Sequence, residues 1–387
     1  MPILLFGAPS TNFTVYHRAG FLCGDPVAFV SAPGKDGRET SALILRDIEL
    51  DRARKSARAD DCFCPRDLVP AESLSGDRAT ATSQAAAAWL LARGVRQVCG
   101  DPSLPLVAAE ACRAAGIAVV LDPDLGVLQR RVKSEAEIAH LREAQAFTEE
   151  VMRMAANLIL KAQAARDGTL MHDGSPLSAE RVRGEISVHC ARGGYADSGG
   201  AIVAQGVHGA DCHDYGAGRL VTGLPVIIDI FPRNQATLYC GDCTRTICHG
   251  DIPPLALRMQ AAVREAKRAA EAALRPGATG KSVHAATVAA MEAHGYAYGA
   301  LPPEGDPQRA AAITLPHGTG HGIGLDIHEP ILLDAGGGEI LAGEVFTVEP
   351  GLYGFPVGGV RVEDMVVVRE SGIENLNRMG DGLDGNW

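Results

Sequence analysis

The second half of this chain sets acidic residues inside runs of aliphatic ones, and no other feature limits its fold so strongly. Asp229 lies in Val226-Ile227-Ile228-Asp229-Ile230, Asp242 in Tyr239-Cys240-Gly241-Asp242-Cys243, Glu349 in Phe346-Thr347-Val348-Glu349-Pro350 and Glu363 in Val360-Arg361-Val362-Glu363-Asp364. Such β-branched runs predict buried strands. A carboxylate carried into one loses several kcal/mol of hydration unless a cation or strong donors offset it. One acidic residue in a strand is usually an edge residue in water. Four of them, with Pro316-His317-Gly318-Thr319-Gly320-His321-Gly322 between the second and third, are not explained that way. Glycines beside His321 permit a close approach of backbone to a site. An oxygen-rich donor set with a single imidazole suits a pair of divalent ions, manganese, cobalt, iron or zinc, roughly 3.5–4 Å apart.

The rest of the chain supplies the frame. Val95–Cys99 reads as a strand, Leu104–Ala115 as a helix and Ile117–Leu121 as a strand, with Gly94 and Gly116 as helix stops. This β-α-β pattern predicts a small α/β domain over residues 1–128, with residues 51–77 as polar loop. Ser134 with Glu137 forms a capping-box signature, and Ile138, Leu141, Phe147, Val151, Met154 and Leu158 recur at helical spacing behind it. Further helices are predicted at Ser178–Ala191, Pro254–Leu274 and Ser282–Ala293. Strands are predicted at Pro225–Phe231, Thr237–Cys248, Glu344–Val348 and Val360–Val368. Residues 129–387 are therefore read as an α+β domain.

Charge and composition narrow the partners. With 36 Lys and Arg against 47 Asp and Glu, the net charge of −11 argues against nucleic-acid binding. The longest apolar stretch, around Ala85–Ala92, is far short of the ~20 residues of a membrane span. The opening Met-Pro-Ile-Leu-Leu-Phe-Gly has no basic region of a secretory signal, and the 10 cysteines have no regular spacing, so reduced thiols and a cytoplasmic location are expected. Cys240 and Cys243 are read as ordinary thiols, and His208 as a loop residue.

The segments Asp229…Asp242, His317-Gly-Thr-Gly-His321-Gly-Ile-Gly…His328-Glu329, Thr347-Val-Glu349-Pro-Gly and Val360-Arg-Val-Glu363-Asp resemble the pita-bread metallopeptidases. That family includes Xaa-Pro aminopeptidases, prolidases, methionine aminopeptidases and creatinase. The stretch Arg131-Val-Lys-Ser-Glu135 resembles the start of their catalytic domain after a creatinase-type N-terminal domain. The resemblance implies an α+β pita-bread domain behind a smaller α/β one. It also implies five ligands to two metal ions: Asp242 and Glu363 bridging, Asp229 on one ion, His321 and Glu349 on the other. His328 matches a histidine that hydrogen-bonds the scissile amide, and His213 one that lines the pocket. Glu349 would also shuttle a proton, while His317 and Arg361 match residues that orient ligands and substrate. The implied reaction is hydrolysis of Xaa-Pro bonds in dipeptides or at the N-terminus of short peptides, by a hydroxide bridging two ions, manganese first. A homodimer is implied too, with Asn12–Gly20 as a stretch that would line a partner's pocket. The alternatives are a non-peptidase hydrolase or lyase acting on small molecules, and a non-catalytic binding protein. One departure stands out. Asp229 and Asp242 are 13 positions apart where the family commonly has 11, so a bulged loop is expected, with Arg233 directed into the pocket or into solvent.

Overall fold

The computed structural model describes residues 1–34, 37–197 and 199–387, which form two compact units, Met1–Arg130 and Arg131–Trp387. No helix of the described residues is long and apolar enough to cross a membrane.

The first unit is a six-stranded sheet in the order Asp61–Phe63, Glu39–Ile44, Val27–Pro33, Ile3–Gly7, Gln97–Gly100 and Ala118–Leu121. The central pairs are antiparallel and the outer ones parallel. Side chains alternate across it. Leu4, Phe6, Val30 and Ile44 meet Trp89 and Leu90 of the helix Arg78–Leu91, while Leu5, Phe29 and Leu43 meet Val15 and Ala53 on the opposite face. The Asn12–Gly20 stretch is the helix Phe13–Ala19 with its caps. Asn12 accepts from the Val15 N–H, and Gly20 ends the helix at φ 59°. Residues 51–77 are not loop. They hold most of the helix Leu50–Ser56, the strand Asp61–Phe63 and the short turns Pro65–Leu68 and Ala71–Ser73. These pieces are shorter than the window over which a period can be read, and the strand exists because it pairs with Glu39–Ile44.

The second unit stacks helices outside antiparallel strands. Its long helix, Glu135–Leu160, starts at the capping box, where Ser134 N–H donates to Glu137 at 2.8 Å. With Ala179–Arg192 it covers the sheet Ile202–Gln205, Pro225–Ile230 and Cys243–Cys248, where Met152, Ile186, Ile228 and Ile247 are fully buried. The helices Pro254–Ala273 and Gly280–Ala293 pack on further strands, among them Glu329–Leu333, Val345–Val348, Gly351–Gly354, Gly358–Arg361 and Asp364–Arg369, and Gly320–Gly322 pairs with the first two of these. Each aliphatic side chain so buried contributes roughly 1.5–3 kcal/mol. Two predicted strands are corrected. Thr237–Cys248 is extended only over Cys243–Cys248, because Leu238 sits at φ 66° and the Asn234 side chain accepts the Ala236 and Thr237 N–H groups. Val360–Val368 is two strands, Gly358–Arg361 and Asp364–Arg369, joined where the chain passes from one sheet to the other.

Candidate metal centre

These strands and the loops between them line an open cavity of about 860 Å³. Its lining includes Asp229, Asp242, His321, Glu349, Glu363, His328, His213, His317 and Arg361, every residue singled out from the motifs. Strand alternation aims Asp229, His321 and Arg361; Asp242, Glu349 and Glu363 flank strand ends, and the other three histidines lie on loops. Val226, Ile228 and Ile230 pack under the helices, which turns Asp229 inward. Asp229 pairs across the sheet with Thr244. The Thr244 hydroxyl donates to Glu363 at 2.7 Å and accepts from Arg361 Nε at 3.1 Å. On the last segment Val360 and Val362 are buried among core residues, so Arg361 and Glu363 face the cavity. His321 is held between two glycines whose lack of side chain is required. A Cβ on Gly320 would lie 2.0 Å from the Thr347 carbonyl oxygen, and one on Gly322 would lie 2.7 Å from the Glu329 carbonyl oxygen.

The donor atoms of Asp242, His321 and Glu363 lie within 4.8 Å of one another. His321 Nε2 is 3.4 Å from Glu349 Oε1 and 3.9 Å from Asp242 Oδ2. Asp229 Oδ2 accepts from Arg361 at 2.6 Å, whereas its Oδ1 is buried without a partner. The ring of His328 stands edge-on to that of His321, centroids 4.3 Å apart. His317 Nε2 and Arg361 both reach the Tyr353 hydroxyl, at 3.0 and 2.8 Å.

Electrostatics separate these carboxylates from an ordinary buried ion pair. Burial, then the charges of Glu363, Asp229 and Glu349, push the Asp242 carboxyl well above its usual range. Burial, then Glu349 and Asp229, do the same to Glu363. The next residue is the control. Burial also works against Asp364, yet Arg245 at 2.7 Å and Lys267 at 2.6 Å hold its carboxyl below the usual value. Burial drives His321 down to about 4, so the ring is neutral, the form that binds a metal. The orphaned Asp229 oxygen and the uncompensated Asp242 and Glu363 fit a divalent ion, or two, in this donor set.

The profile of metallopeptidase family M24 matches residues 139–370, more than half of the chain. The chain belongs to metallopeptidase family M24. A probable dipeptidase PepE of Mycobacterium bovis is 31% identical over 266 residues, which are 68% of this chain and 63% of that relative's length. Among solved structures, an Xaa-Pro dipeptidase from Bacillus anthracis superimposes with a TM-score of 0.78 at 23% identity, covering 99% of this chain and 94% of its own. An X-Pro aminopeptidase from Thermotoga maritima gives 0.77 at 19%, covering 98% and 96%. The fold is thus the pita-bread domain preceded by a smaller α/β domain.

In this M24 chain the loop between Asp229 and Asp242 is where one expectation needs correcting. Arg233 goes neither into the cavity nor into solvent. It is part-buried and donates to the Leu238 carbonyl at 2.9 Å and to that of Leu325, so the extra residues brace the hairpin against the glycine-rich segment. Cys240 and Cys243 are free, buried thiols, Cys240 pushed up to about 12 by burial. His208 opens a short helical turn and pairs with Asp214 at 2.8 Å. The motifs did not disclose Gln145, which clamps the Asp242 backbone from both sides, accepting its N–H at 2.9 Å and donating to its carbonyl at 2.7 Å. A signal existed: Gln145 occupies the buried stripe Ile138, Leu141, Gln145, Thr148, Met152, where an apolar residue belongs. Nor did they disclose His284, whose Nδ1 meets Thr319 Oγ1 at 3.0 Å behind the strand that carries His321.

Proposed function

We propose that the cavity is the active site of a dinuclear-metal peptidase that cleaves Xaa-Pro bonds in dipeptides or at the N-terminus of short peptides. One observation carries this reading. Glu363 and Asp364 are buried neighbours, but Asp364 is paired directly with Arg245 and Lys267, while for Glu363 and Asp242 the nearby Arg361, itself paired with Asp229, does not offset burial and the neighbouring carboxylates. In this reading Asp242 and Glu363 would hold both ions, Asp229 one, and His321 with Glu349 the other. When bound, the ions supply Lewis-acid polarisation of the scissile carbonyl and a water nucleophile at neutral pH.

The chain's own residues do the rest. His328, close beside His321, hydrogen-bonds the scissile amide, and Glu349 carries the proton toward the departing nitrogen. His213 rests against the proline side. Arg361 holds Asp229 in place, and with His317 it is fixed through Tyr353. A proline nitrogen has no hydrogen, so a peptidase that grips the amide N–H loses a contact there. A site that works on the carbonyl needs no such grip. The dipeptidase and X-Pro peptidase relatives support the same substrate class. The reading also takes manganese ahead of cobalt, zinc or iron, a cytoplasmic homodimer, and residues 1–128 as a creatinase-type N-terminal domain.

The test compares Ala-Pro, Ala-Pro-Ala and Ala-Ala-Ala with manganese or cobalt supplied, alongside metal analysis. Faster turnover of the prolyl peptides is expected. Equal or faster cleavage of Ala-Ala-Ala, or cleavage of none, replaces the proposal with a non-prolyl hydrolase or a lyase. His328→Ala is expected to keep its metal and lose roughly 10²–10⁴-fold in rate. Unchanged turnover would remove His328 from the mechanism.

A further inference from the structure

Beside the oxygen-rich centre the cavity wall carries a second donor group of different chemistry. Asp211, Cys212 and His213 follow the short turn His208–Ala210, and a carboxylate oxygen, the thiol sulfur and an imidazole nitrogen of these residues lie within 4.8 Å of one another. The Cys212 sulfur is 3.8 Å from His213 Nδ1. The loop is tied on both sides. Asp211 accepts the His213 N–H at 2.9 Å, Arg361 donates to the Cys212 carbonyl at 3.2 Å, and Asp214 bridges His208 and the Gly216 N–H, each at 2.8 Å. Cys212 and His213 also line the cavity that holds the five-ligand centre. Cys212 is the one cysteine of intermediate exposure, the other nine being buried.

From this geometry we infer that Asp211, Cys212 and His213 form an accessory site for a thiophilic divalent cation, zinc above all, separate from the catalytic pair. A donor set of one sulfur, one nitrogen and one oxygen suits zinc, with bonds of about 2.3 Å to sulfur and about 2.0–2.2 Å to nitrogen and oxygen. Drawing the three donors onto one ion takes side-chain movement of about an ångström, and Asp211 and His213 are exposed enough to make it. On binding, the Cys212 thiol gives its proton to solvent and the thiolate becomes the ligand. Three protein donors leave the fourth tetrahedral position to water. The five-ligand centre, with four carboxylates and one imidazole, has no sulfur, so the two sites differ in which metals they prefer. Occupancy ties up the His213 imidazole, which then no longer meets substrate in the cavity it lines. Zinc beyond the catalytic requirement is therefore an inhibitor. The inhibition rests on the proposed peptidase function, whereas the binding does not.

The experiment is a cobalt titration of the full-length protein already loaded with manganese, followed by equilibrium dialysis and near-ultraviolet absorption. One metal equivalent beyond the loaded total of manganese plus cobalt is expected to bind, with a sulfur-to-cobalt charge-transfer band that the sulfur-free centre cannot produce even where cobalt exchanges for manganese. Cys212→Ser abolishes the band and that added equivalent, while the remaining metal total stays. Asp211→Ala, at an exposed position, weakens the added equivalent about 100-fold or more, since lost outer partners alone cost 10–100-fold. Zinc titration then reduces wild-type turnover relative to its own zinc-free rate, and less so in Cys212→Ser relative to its own. No added equivalent, or a band that survives Cys212→Ser, overturns the site. A protein without peptidase activity overturns the proposed function, and the cobalt band still decides the site.

Discussion

Replacing Lys133 by Met isolates a buried charge and gives a calculable loss. Lys133 Nζ lies 2.8 Å from Glu329 Oε2, and the two side chains are 3% and 2% exposed. At that distance and an effective dielectric of about 20, their attraction is about 6 kcal/mol. Desolvation of the two ions cancels most of it, so the intact pair adds little net stability. Removing the ammonium alone is different, because the Glu329 carboxylate stays buried. The expected cost is about 3–5 kcal/mol. The lower end applies here, since Glu329 Oε1 still accepts the Leu325 and Asp326 N–H groups, at 3.2 and 3.3 Å. Lys133→Met/Glu329→Gln removes both charges, keeps an acceptor for those N–H groups, and should return to within about 1 kcal/mol of the parent. Urea unfolding of the Arg131–Trp387 unit can be followed through Trp387 in a Trp89→Phe background. Trp89 Nε1 is buried without a partner, so that background loses no hydrogen bond. A cost below about 1 kcal/mol for Lys133→Met, or a double variant no more stable than the single one, refutes the account.

Other consequences can be measured directly. Asp242→Ala should lose more metal than Asp229→Ala, because Asp242 lies within donor distance of both His321 and Glu363; two metals per chain in Asp242→Ala would contradict this. Gln145→Leu fills the helical stripe but releases the Asp242 backbone, and isothermal titration should show metal affinity reduced about 10–100-fold. Glu180 is held down to about 2 by the Gly218 N–H and by the first turn of its own helix. A depressed folded pKa stabilises above the unfolded value near 4.5 and loses that contribution as the pH falls toward 2. The melting midpoint of Glu180→Gln should accordingly lie below the parent at pH 7, and the gap should narrow on acidification below pH 4.5; a constant gap would remove the linkage.

Local physics in the sequence determined a good part of this protein. The Ser134–Glu137 capping box and the stripe from Ile138 onward are contained within one turn or one helix face, so the start and buried side of the long helix were readable from spacing alone. Alternation did the same for Asp229, whose neighbours Ile228 and Ile230 had to face a core. Of the nine side chains marked by the motifs that line one cavity, Asp229, His321 and Arg361 are aimed by their strands, whereas Asp242, Glu349 and Glu363 flank strand ends and His213, His317 and His328 lie on loops that only the tertiary fold brings there. Tertiary structure decided what depends on partners far away in the chain. The strand Asp61–Phe63 exists through its pairing with Glu39–Ile44, and the break before Asp364 through the passage between two sheets. Charge compensation is likewise invisible along the chain. Glu363 and Asp364 are adjacent acids in the same apolar run, and only packing against Arg245 and Lys267 separates a satisfied ion pair from a carboxylate that calls for a metal. Spacing records which residues share a face; the energy of a buried charge depends on what the fold brings against it.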